Sequence, residues 1–389
     1  MKKLLFIAVL CLLGMQVFAQ DKTKDFTPDK LANFADFSWR CKQQDPFKNT
    51  EKTDLRSCDL SKYDLTKLPP QTLNKLTFDD KTIWPAKMPK WLNIKKIYKT
   101  GKTPGLNIKK LHKKGITGKG VNIAIIDQFL NLHQEYNDNI AFYKNLIGTN
   151  GVSMHGPAVT SIAVGKNVGV APEAKLYYVA ANFTDYDEGK NIFNAKQIAQ
   201  AIEYLLELNK TLPEKDKIFV ISISRGFDET DYGRKEFLNA IEKAKEQNIL
   251  VLTTNDVFTV SRPCYCANPD KIPSYTKPAP WFSERNISRY SDINAICVPT
   301  DYRILASPTG EKDYVAYAEG GLSWAVPYLA GIAALAKQVN PDLTPQEFMD
   351  IAHKTAQSVE VKKGNSSAKA KYFINPQALI KELQKTKNK

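Results

Sequence analysis

From about residue 101 onward, short apolar runs of strand length alternate with longer stretches of helical pattern, and this alternation limits the available folds most strongly. The apolar runs are residues 121–126, 175–180, 218–224 and 249–252. The helical stretches are residues 194–208, 232–247, 324–339 and 345–356. Thr344 and Glu347 form a capping box at the start of the last one. Strands that alternate with helices predict an α/β domain with a largely parallel sheet and helices on both faces.

Polar residues follow three of the predicted strands. Asp127 comes directly after one apolar run and Asn255 three residues after another, while Ser224, Arg225 and Gly226 close a third. The carboxyl ends of parallel strands meet at one edge of a sheet, and ligands bind beyond that edge. We therefore expect these residues to gather in one site.

Two further segments carry groups suited to hydrolysis. His155 precedes a run of small residues with a helical pattern, and its imidazole titrates near neutral pH. Ser323 lies between the pair Gly320–Gly321 and an apolar helix, whose dipole favours an oxyanion. Asp127 would orient His155 to accept the serine proton. The alternatives are purely structural: Ser323 as a helix N-cap and Asp127 as a turn cap.

The order aspartate, histidine, serine on an α/β scaffold resembles the subtilisin-like serine proteases. The resemblance extends over about residues 115–356, and it includes the segments His155–Gly156, Gly169–Pro172 and Gly321–Pro327 as well as Asn255 after its apolar run. It implies a subtilisin-like fold and a secreted endopeptidase that works through an acyl-enzyme. Ser323 would be the nucleophile, His155 the general base and Asp127 its orienting carboxylate.

The resemblance implies roles for other residues too. Asn255 would donate its amide to the oxyanion, and the backbone from Ser224 to Gly226 would pair with an extended polypeptide substrate. Arg225, within that segment, either favours an acidic substrate residue or points to solvent.

The chain also departs from the family pattern. Gln128 and Phe129 follow the aspartate, Pro157 follows the His-Gly pair, and Leu322 and Trp324 flank the serine. No triad residue is lost. Two alternatives stay open: a catalytically inactive relative that binds polypeptides, and a basic surface adhesin whose N-terminal region carries the function.

The N-terminus has the pattern of a secretory signal, with a basic start, an apolar core over residues 4–13 and a small-residue site ending at Ala19. We expect cleavage near Ala19 and export, either to the periplasm or outside the cell. Residues 20–100 are predicted to form an irregular accessory region or pro-region, and residues 101–389 the peptidase domain. An Asp-Leu pair repeats every five residues from Asp54 to Leu65, in too few copies for a solenoid.

Export favours disulfide bonds between the five cysteines that remain after the signal. Cys41 and Cys58 are close in sequence and are predicted to pair. Cys297 is predicted to pair with Cys264 or Cys266.

The formal net charge is +14 at pH 7. Binding to an anionic cell-surface polymer would explain this charge, although a solvated lysine-rich surface is the favoured interpretation. Nothing predicts a specific nucleic-acid site or a membrane span in the mature chain. No metal site is predicted and no cofactor is certain, but calcium is possible. Asp185, Asp187 and Glu188 are the calcium candidates, with solvated charge favoured.

Overall fold

The computed structural model describes residues 33–48, 53–187 and 190–386. Numbered along the chain, its strands are β1 (Thr53–Asp54), β2 (Leu76–Asp79), β3 (Asn122–Asp127), β4 (Ile140–Asn145), β5 (Lys175–Ala180), β6 (Thr184–Asp187), β7 (Lys190–Phe193), β8 (Ile218–Ile223), β9 (Leu250–Leu252), β10 (Val257–Ser261), β11 (Lys277–Pro278), β12 (Ile296–Pro299), β13 (Arg303–Ala306), β14 (Tyr314–Tyr317), β15 (Gln357–Lys363) and β16 (Ser366–Phe373). Its α-helices are α1 (Trp39–Gln43), α2 (Pro70–Leu73), α3 (Ile94–Gly101), α4 (Ile108–His112), α5 (His155–Val164), α6 (Ala195–Thr211), α7 (Arg234–Glu246), α8 (Leu322–Val339), α9 (Pro345–Thr355) and α10 (Pro376–Thr386).

The central sheet has the order β4-β5-β3-β8-β9, and all of its strands run parallel. Its middle strand, β3, is buried along its whole length. Successive side chains of a strand point to opposite faces. Accordingly, Ile123 and Ile125 pack in one cluster with α5 and α8, whereas Ala124 and Ile126 pack in another with α6 and α7. This arrangement confirms the predicted α/β fold, with a largely parallel sheet and helices on both faces.

A second sheet has the order β11-β10-β12-β16-β15. Its inner strands β10, β12 and β16 run parallel, and the edge strands β11 and β15 run antiparallel to their neighbours. Strands β6 and β7 form a separate antiparallel hairpin. The second sheet and α8 share the larger hydrophobic cluster, so α8 lies against both sheets.

Two of the predicted helices show clearly where they begin. Helix α9 begins with the expected capping box: Glu347 N–H donates to Thr344 Oγ1 at 3.3 Å, and Thr344 N–H donates to Glu347 Oε2 at 2.8 Å. Helix α8 begins earlier than residue 324, because Gly321 is its N-cap. Ser323 therefore lies inside the first helical turn and is not the cap.

The N-terminal region is more regular than expected. The aspartates of the five-residue repeat each accept a hydrogen bond from the backbone N–H two residues later: Asp54 from Arg56, Asp59 from Ser61 and Asp64 from Thr66. The leucines that follow these aspartates are fully buried. A local turn that repeats every five residues thus places one leucine per repeat in the core.

This region packs against the part of the chain that contains the central sheet. Strand β2 pairs antiparallel with β14, which makes a sheet in the order β1-β2-β14-β13. Leu55 and Phe78 of the N-terminal region are buried in one hydrophobic cluster with Ile304 of β13 and Ala316 of β14. The predicted division near residue 100 falls at the end of α3 and stays a prediction.

The cysteines follow the prediction only in part. Cys41 is bonded to Cys58, as predicted. Cys264 is bonded to Cys266, and Cys297 is a buried free thiol, so the predicted bond from Cys297 was wrong. Cys297 lies within β12, in register with Phe258 of β10, whereas the other two lie in the loop beyond the end of β10. Burial raises the pKa of the Cys297 thiol to about 12.

Other sequence predictions concern the ends and the surface. The predicted signal, with its site near Ala19, lies outside the described residues. Asp185 and Asp187 belong to the β6–β7 hairpin, and Glu188 lies outside the described residues. Within the described part of the chain, no three His, Cys, Asp or Glu side chains group closely enough to hold a metal ion. None of the helices described is long and apolar enough to cross a membrane.

Candidate active site

Asp127 ends β3 and is fully buried at the carboxyl edge of the central sheet. Its Oδ1 accepts a hydrogen bond from Gln128 N–H at 2.8 Å and lies 2.7 Å from His155 Nδ1. Its Oδ2 is buried and has no hydrogen-bond partner among the described residues. A buried carboxylate requires partners, and here the imidazole and the Gln128 N–H provide them.

His155 begins α5, and the start of this helix is fixed against the end of β3 by hydrogen bonds and by close packing. Its backbone N–H donates to Ser153 Oγ at 2.9 Å, and Ser153 Oγ donates to Gln128 Oε1 at 2.7 Å. These two bonds tie the start of α5 to the end of β3. The helix also approaches closely, because a Cβ on Gly156 would lie 2.3 Å from Phe129 O. Only glycine allows this approach.

The environment of His155 sets its proton affinity. Burial lowers the pKa of the imidazole. The charge of Asp127 and the hydrogen bond to it raise the pKa by more than burial lowers it, so the pKa is shifted upward from 6.5. The side chain remains 19% exposed. An imidazole with one nitrogen on a buried carboxylate and some access to solvent can act as a general base.

Ser323 lies in the first turn of α8, beside the carboxyl end of β8. Its Oγ donates to Ser224 O at 3.2 Å, and Ser224 Oγ donates to Ser323 O at 2.9 Å. Both Ser323 and His155 are described, and no hydrogen bond joins them in this structure. They are linked through Trp324, whose ring lies 5.4 Å from the imidazole ring, centroid to centroid.

Asn255 follows β9 and lies beside the residues that follow β8. Its Nδ2 donates to Phe227 O at 3.2 Å. Gly226 faces it closely, because a Cβ there would lie 2.7 Å from Asn255 Oδ1. Arg225 is exposed, and its guanidinium lies 4.0 Å from the centroid of the Phe193 ring. The structure thus gathers Asn255 and the segment Ser224–Gly226 at the expected edge.

The remaining histidines are structural. Buried His133 contacts Asp313 O through Nε2 at 2.8 Å, and His112 contacts Val170 O at 2.7 Å. His353 packs against Tyr372. Among the four histidines, which are all described, His155 alone contacts Asp127.

One residue near the site was missed by the sequence analysis. Asp301 is buried, and its Oδ1 accepts a hydrogen bond from Gly320 N–H at 2.7 Å, just before Ser323. Burial raises its pKa to about 6. The sequence contains a pattern that could have identified it, because Asp301 closely follows the apolar strand β12, much as Asp127 ends β3.

Comparison with known proteins agrees with this arrangement. The model of the subtilase family matches residues 118–373. Serine protease AprX of Bacillus subtilis (strain 168) is 24% identical over 281 residues, covering 61% of each chain. Subtilisin BL of Lederbergia lenta is 24% identical over 275 residues, covering 68% of this chain and 92% of its own length. The matched part of the chain thus spans about three fifths of AprX.

One solved structure shows the fold directly. The prenylagaramide maturation protease PagA aligns with a TM-score of 0.50 at 19% identity, covering 71% of this chain and 98% of PagA. Fold and site together define an α/β protein with a buried aspartate–histidine pair beside a serine in the first turn of a helix. With its family model matched over residues 118–373, the chain belongs to the subtilase family of subtilisin-like serine proteases, as the sequence predicted.

Proposed function

We propose that this protein is a serine endopeptidase that hydrolyses polypeptides with Ser323, His155 and Asp127. The observation that carries the proposal is the 2.7 Å contact between His155 Nδ1 and the buried Asp127 carboxylate, next to the helix that bears Ser323. Family membership supports the same chemistry.

The reaction begins when Ser323 Oγ leaves Ser224 O and turns toward His155. Oγ attacks the peptide carbonyl carbon while its proton passes to the imidazole nitrogen that does not face Asp127. The C–N bond then breaks, His155 gives the proton to the leaving amine, and an acyl-enzyme forms. Water, deprotonated by His155, releases the acid and restores Ser323. Asp127 keeps its charge throughout and stabilises the imidazolium.

Asn255 and the segment Ser224–Gly226 are proposed to handle the substrate. Asn255 Nδ2 would exchange Phe227 O for the oxyanion of the tetrahedral intermediate. The backbone of the segment would pair with an extended substrate as an added strand. Ser323 Oγ and Asn255 Nδ2 donate hydrogen bonds to the carbonyl oxygens of Ser224 and Phe227. A substrate that binds along this segment would therefore meet both groups where these two hydrogen bonds have to break.

Labelling with a fluorophosphonate tests the proposal. We expect the wild type to be labelled at Ser323 and Ser323→Ala to be unlabelled, while Ser358→Ala, which removes an exposed hydroxyl in β15, is labelled like the wild type. Peptide mapping identifies the labelled serine. A folded wild type that stays unlabelled would support the inactive binding protein instead.

We also propose export of the mature enzyme after cleavage near Ala19, which N-terminal sequencing of the secreted protein tests. Adhesion to an anionic cell-surface polymer is the second candidate, favoured only by the net charge of +14. It predicts release from cell envelopes by salt, because exposed charges are screened within about 10 Å at 0.1 M ionic strength.

A further inference from the structure

The N-terminal region is joined to the strand that leads into Ser323. In the β2–β14 pair, Asp79 lies opposite Val315 and Phe78 opposite Ala316. At the start of β14, Tyr314 N–H donates to Asp80 Oδ2 at 2.7 Å. Because β14 runs directly into the loop before α8, the N-terminal region forms part of the frame that carries the serine.

Arg56 is a buried arginine at the centre of this junction. Its side chain is 6% exposed, and its Nε and Nη2 donate to the Asp54 carboxylate at 2.9 and 2.6 Å. Its Nη1 donates to the Tyr317 hydroxyl at 3.3 Å, and its guanidinium lies 4.4 Å from the Phe37 ring centroid. A guanidinium held at both ends of its planar fork is fixed in orientation.

Ring contacts continue from Tyr317 to the catalytic histidine. Tyr317 and Trp324, each about 5% exposed or less, meet edge to face with centroids 5.5 Å apart. Trp324 then packs against His155 at 5.4 Å. A continuous series of contacts therefore runs from Arg56 in the N-terminal region through Tyr317 and Trp324 to the imidazole of His155.

We propose that the N-terminal region from Arg56 onward is retained in the working enzyme, and that Arg56 is a positioning residue for His155 that acts through Tyr317 and Trp324. This inference rests on the proposed function. His155 must keep one nitrogen on Asp127 while the other serves Ser323, and Trp324 limits the tilt of the imidazole only if it is itself held in place.

Burial at the junction supports retention. Ile304, Ala316 and Tyr314 are at most 4% exposed, and they share a hydrophobic cluster with Leu55 and Phe78. Removing the N-terminal region would expose this apolar surface and one edge of β14. A segment that completes a sheet and a core of its neighbour is costly to remove, because its departure returns apolar surface to water.

The experiment compares Arg56→Ala and Tyr317→Phe with the control Arg40→Ala. Tyr317→Phe keeps the ring and loses only the acceptor for Arg56. Arg40 also pairs with the Asp54 carboxylate and stacks on Phe37, but it is more exposed and none of its contacts is to Tyr317. For each variant, kcat and KM for a peptide substrate are measured after a thermal melt has shown that the variant is folded.

We expect Arg56→Ala and Tyr317→Phe each to lower kcat roughly 3- to 30-fold with little change in KM, the range typical of residues that act at a distance. The double variant should be no worse than the poorer single variant, because both break the same link. Arg40→Ala should retain the wild-type kcat. A folded Tyr317→Phe with wild-type kcat, or fully additive losses, would overturn the positioning role.

Retention is tested on the fluorophosphonate-labelled protein by intact mass. We expect the labelled form to contain Arg56; a labelled form that begins anywhere after Arg56 would refute retention. If the wild type is not labelled at all, the proposed function fails and this role fails with it. If the wild type is labelled but the variants match it, only the positioning inference fails.

Discussion

At the scale of single residues, the site depends on how one buried carboxylate is partnered. Asp127 uses one oxygen for Gln128 N–H and His155, and its other oxygen has no partner among the described residues. Much of the stabilisation of this charge therefore comes from the histidine that it orients.

Substitution of Asp127 by asparagine tests that dependence. The amide has nearly the same shape, but it can donate to His155 Nδ1 and favour the tautomer that cannot accept the serine proton. We expect Asp127→Asn to fold and to lose about 10⁴-fold in kcat, as in related triads. Steady-state kinetics with a peptide substrate measure the loss. A loss smaller than about tenfold would remove Asp127 from the triad.

The pH dependence of activity reports on His155. Its pKa lies above 6.5, and only the neutral imidazole accepts a proton, so kcat/KM should rise with pH and reach half its maximum above pH 6.5. Burial shifts the pKa of His112, His133 and His353 the other way, downward. A midpoint below 6.5, or a flat profile from about pH 5 to 9, would speak against His155 as the base.

The buried carboxyl group of Asp301 should make the free energy of unfolding depend on pH. Burial raises its folded pKa from 3.8 to about 6, so the folded state holds this proton more tightly than the unfolded state. Its contribution to stability is therefore greatest below pH 3.8, falls as pH rises to about 6, and is constant above.

Asp301→Asn removes the buried charge and keeps an acceptor for Gly320 N–H. We expect it to raise the free energy of unfolding at pH 8 by roughly 1–3 kcal/mol, since one pKa unit corresponds to about 1.4 kcal/mol. The gain should shrink below pH 5. Denaturant unfolding at both pH values measures it, and a destabilised variant at pH 8 would show that the charged hydrogen bond outweighs the burial of the charge.

At the scale of elements, the two disulfides differ in what they constrain. Cys41–Cys58 closes a loop of sequence separation 17 around α1 and β1, whereas Cys264–Cys266 joins residues only two apart. A cross-link stabilises mainly by restricting the unfolded chain, and more for a longer loop.

Paired alanine variants distinguish these two bonds. We expect loss of Cys41–Cys58 to lower the free energy of unfolding by about 3 kcal/mol, and loss of Cys264–Cys266 to lower it much less. Denaturant unfolding of the two double variants measures both, each against the wild type. Equal effects would show that the longer loop is already ordered in the unfolded chain.

At the scale of the whole molecule, the N-terminal region and the subtilase part of the chain share one core. Leu55 and Phe78 on one side and Ile304 and Ala316 on the other belong to the same buried cluster, and β2 completes the sheet of β14. Two parts that bury apolar surface against each other unfold together, because neither keeps that surface covered alone.

We therefore expect a single thermal transition for residues 53–386, with calorimetric and van't Hoff enthalpies that agree. Hydrogen exchange should give β2 and β14 similar opening free energies. A separate early transition, with exchange of β2 well before β14, would show that the N-terminal region unfolds independently and would weaken the case for its retention.

Local sequence pattern was enough to predict the frame of the site. The alternation of strands and helices, the place of Asp127 at the end of β3 and the start of α5 at His155 all depend on residues within one element, where periodicity and end signals act. For the same reason the capping box of α9 was correctly predicted. Asp301, which follows β12 much as Asp127 ends β3, could have been found by the same rule.

Only the tertiary structure decided which distant groups meet. The Arg56–Tyr317 hydrogen bond joins residues 261 positions apart, and β2 adds to β14 across a similar distance. The pairing of Cys264 with Cys266 and the isolation of Cys297 depend on where β12 lies in the second sheet. Such contacts are set by the packing of whole elements, because each one is worth little alone and no local pattern favours one distant partner over another.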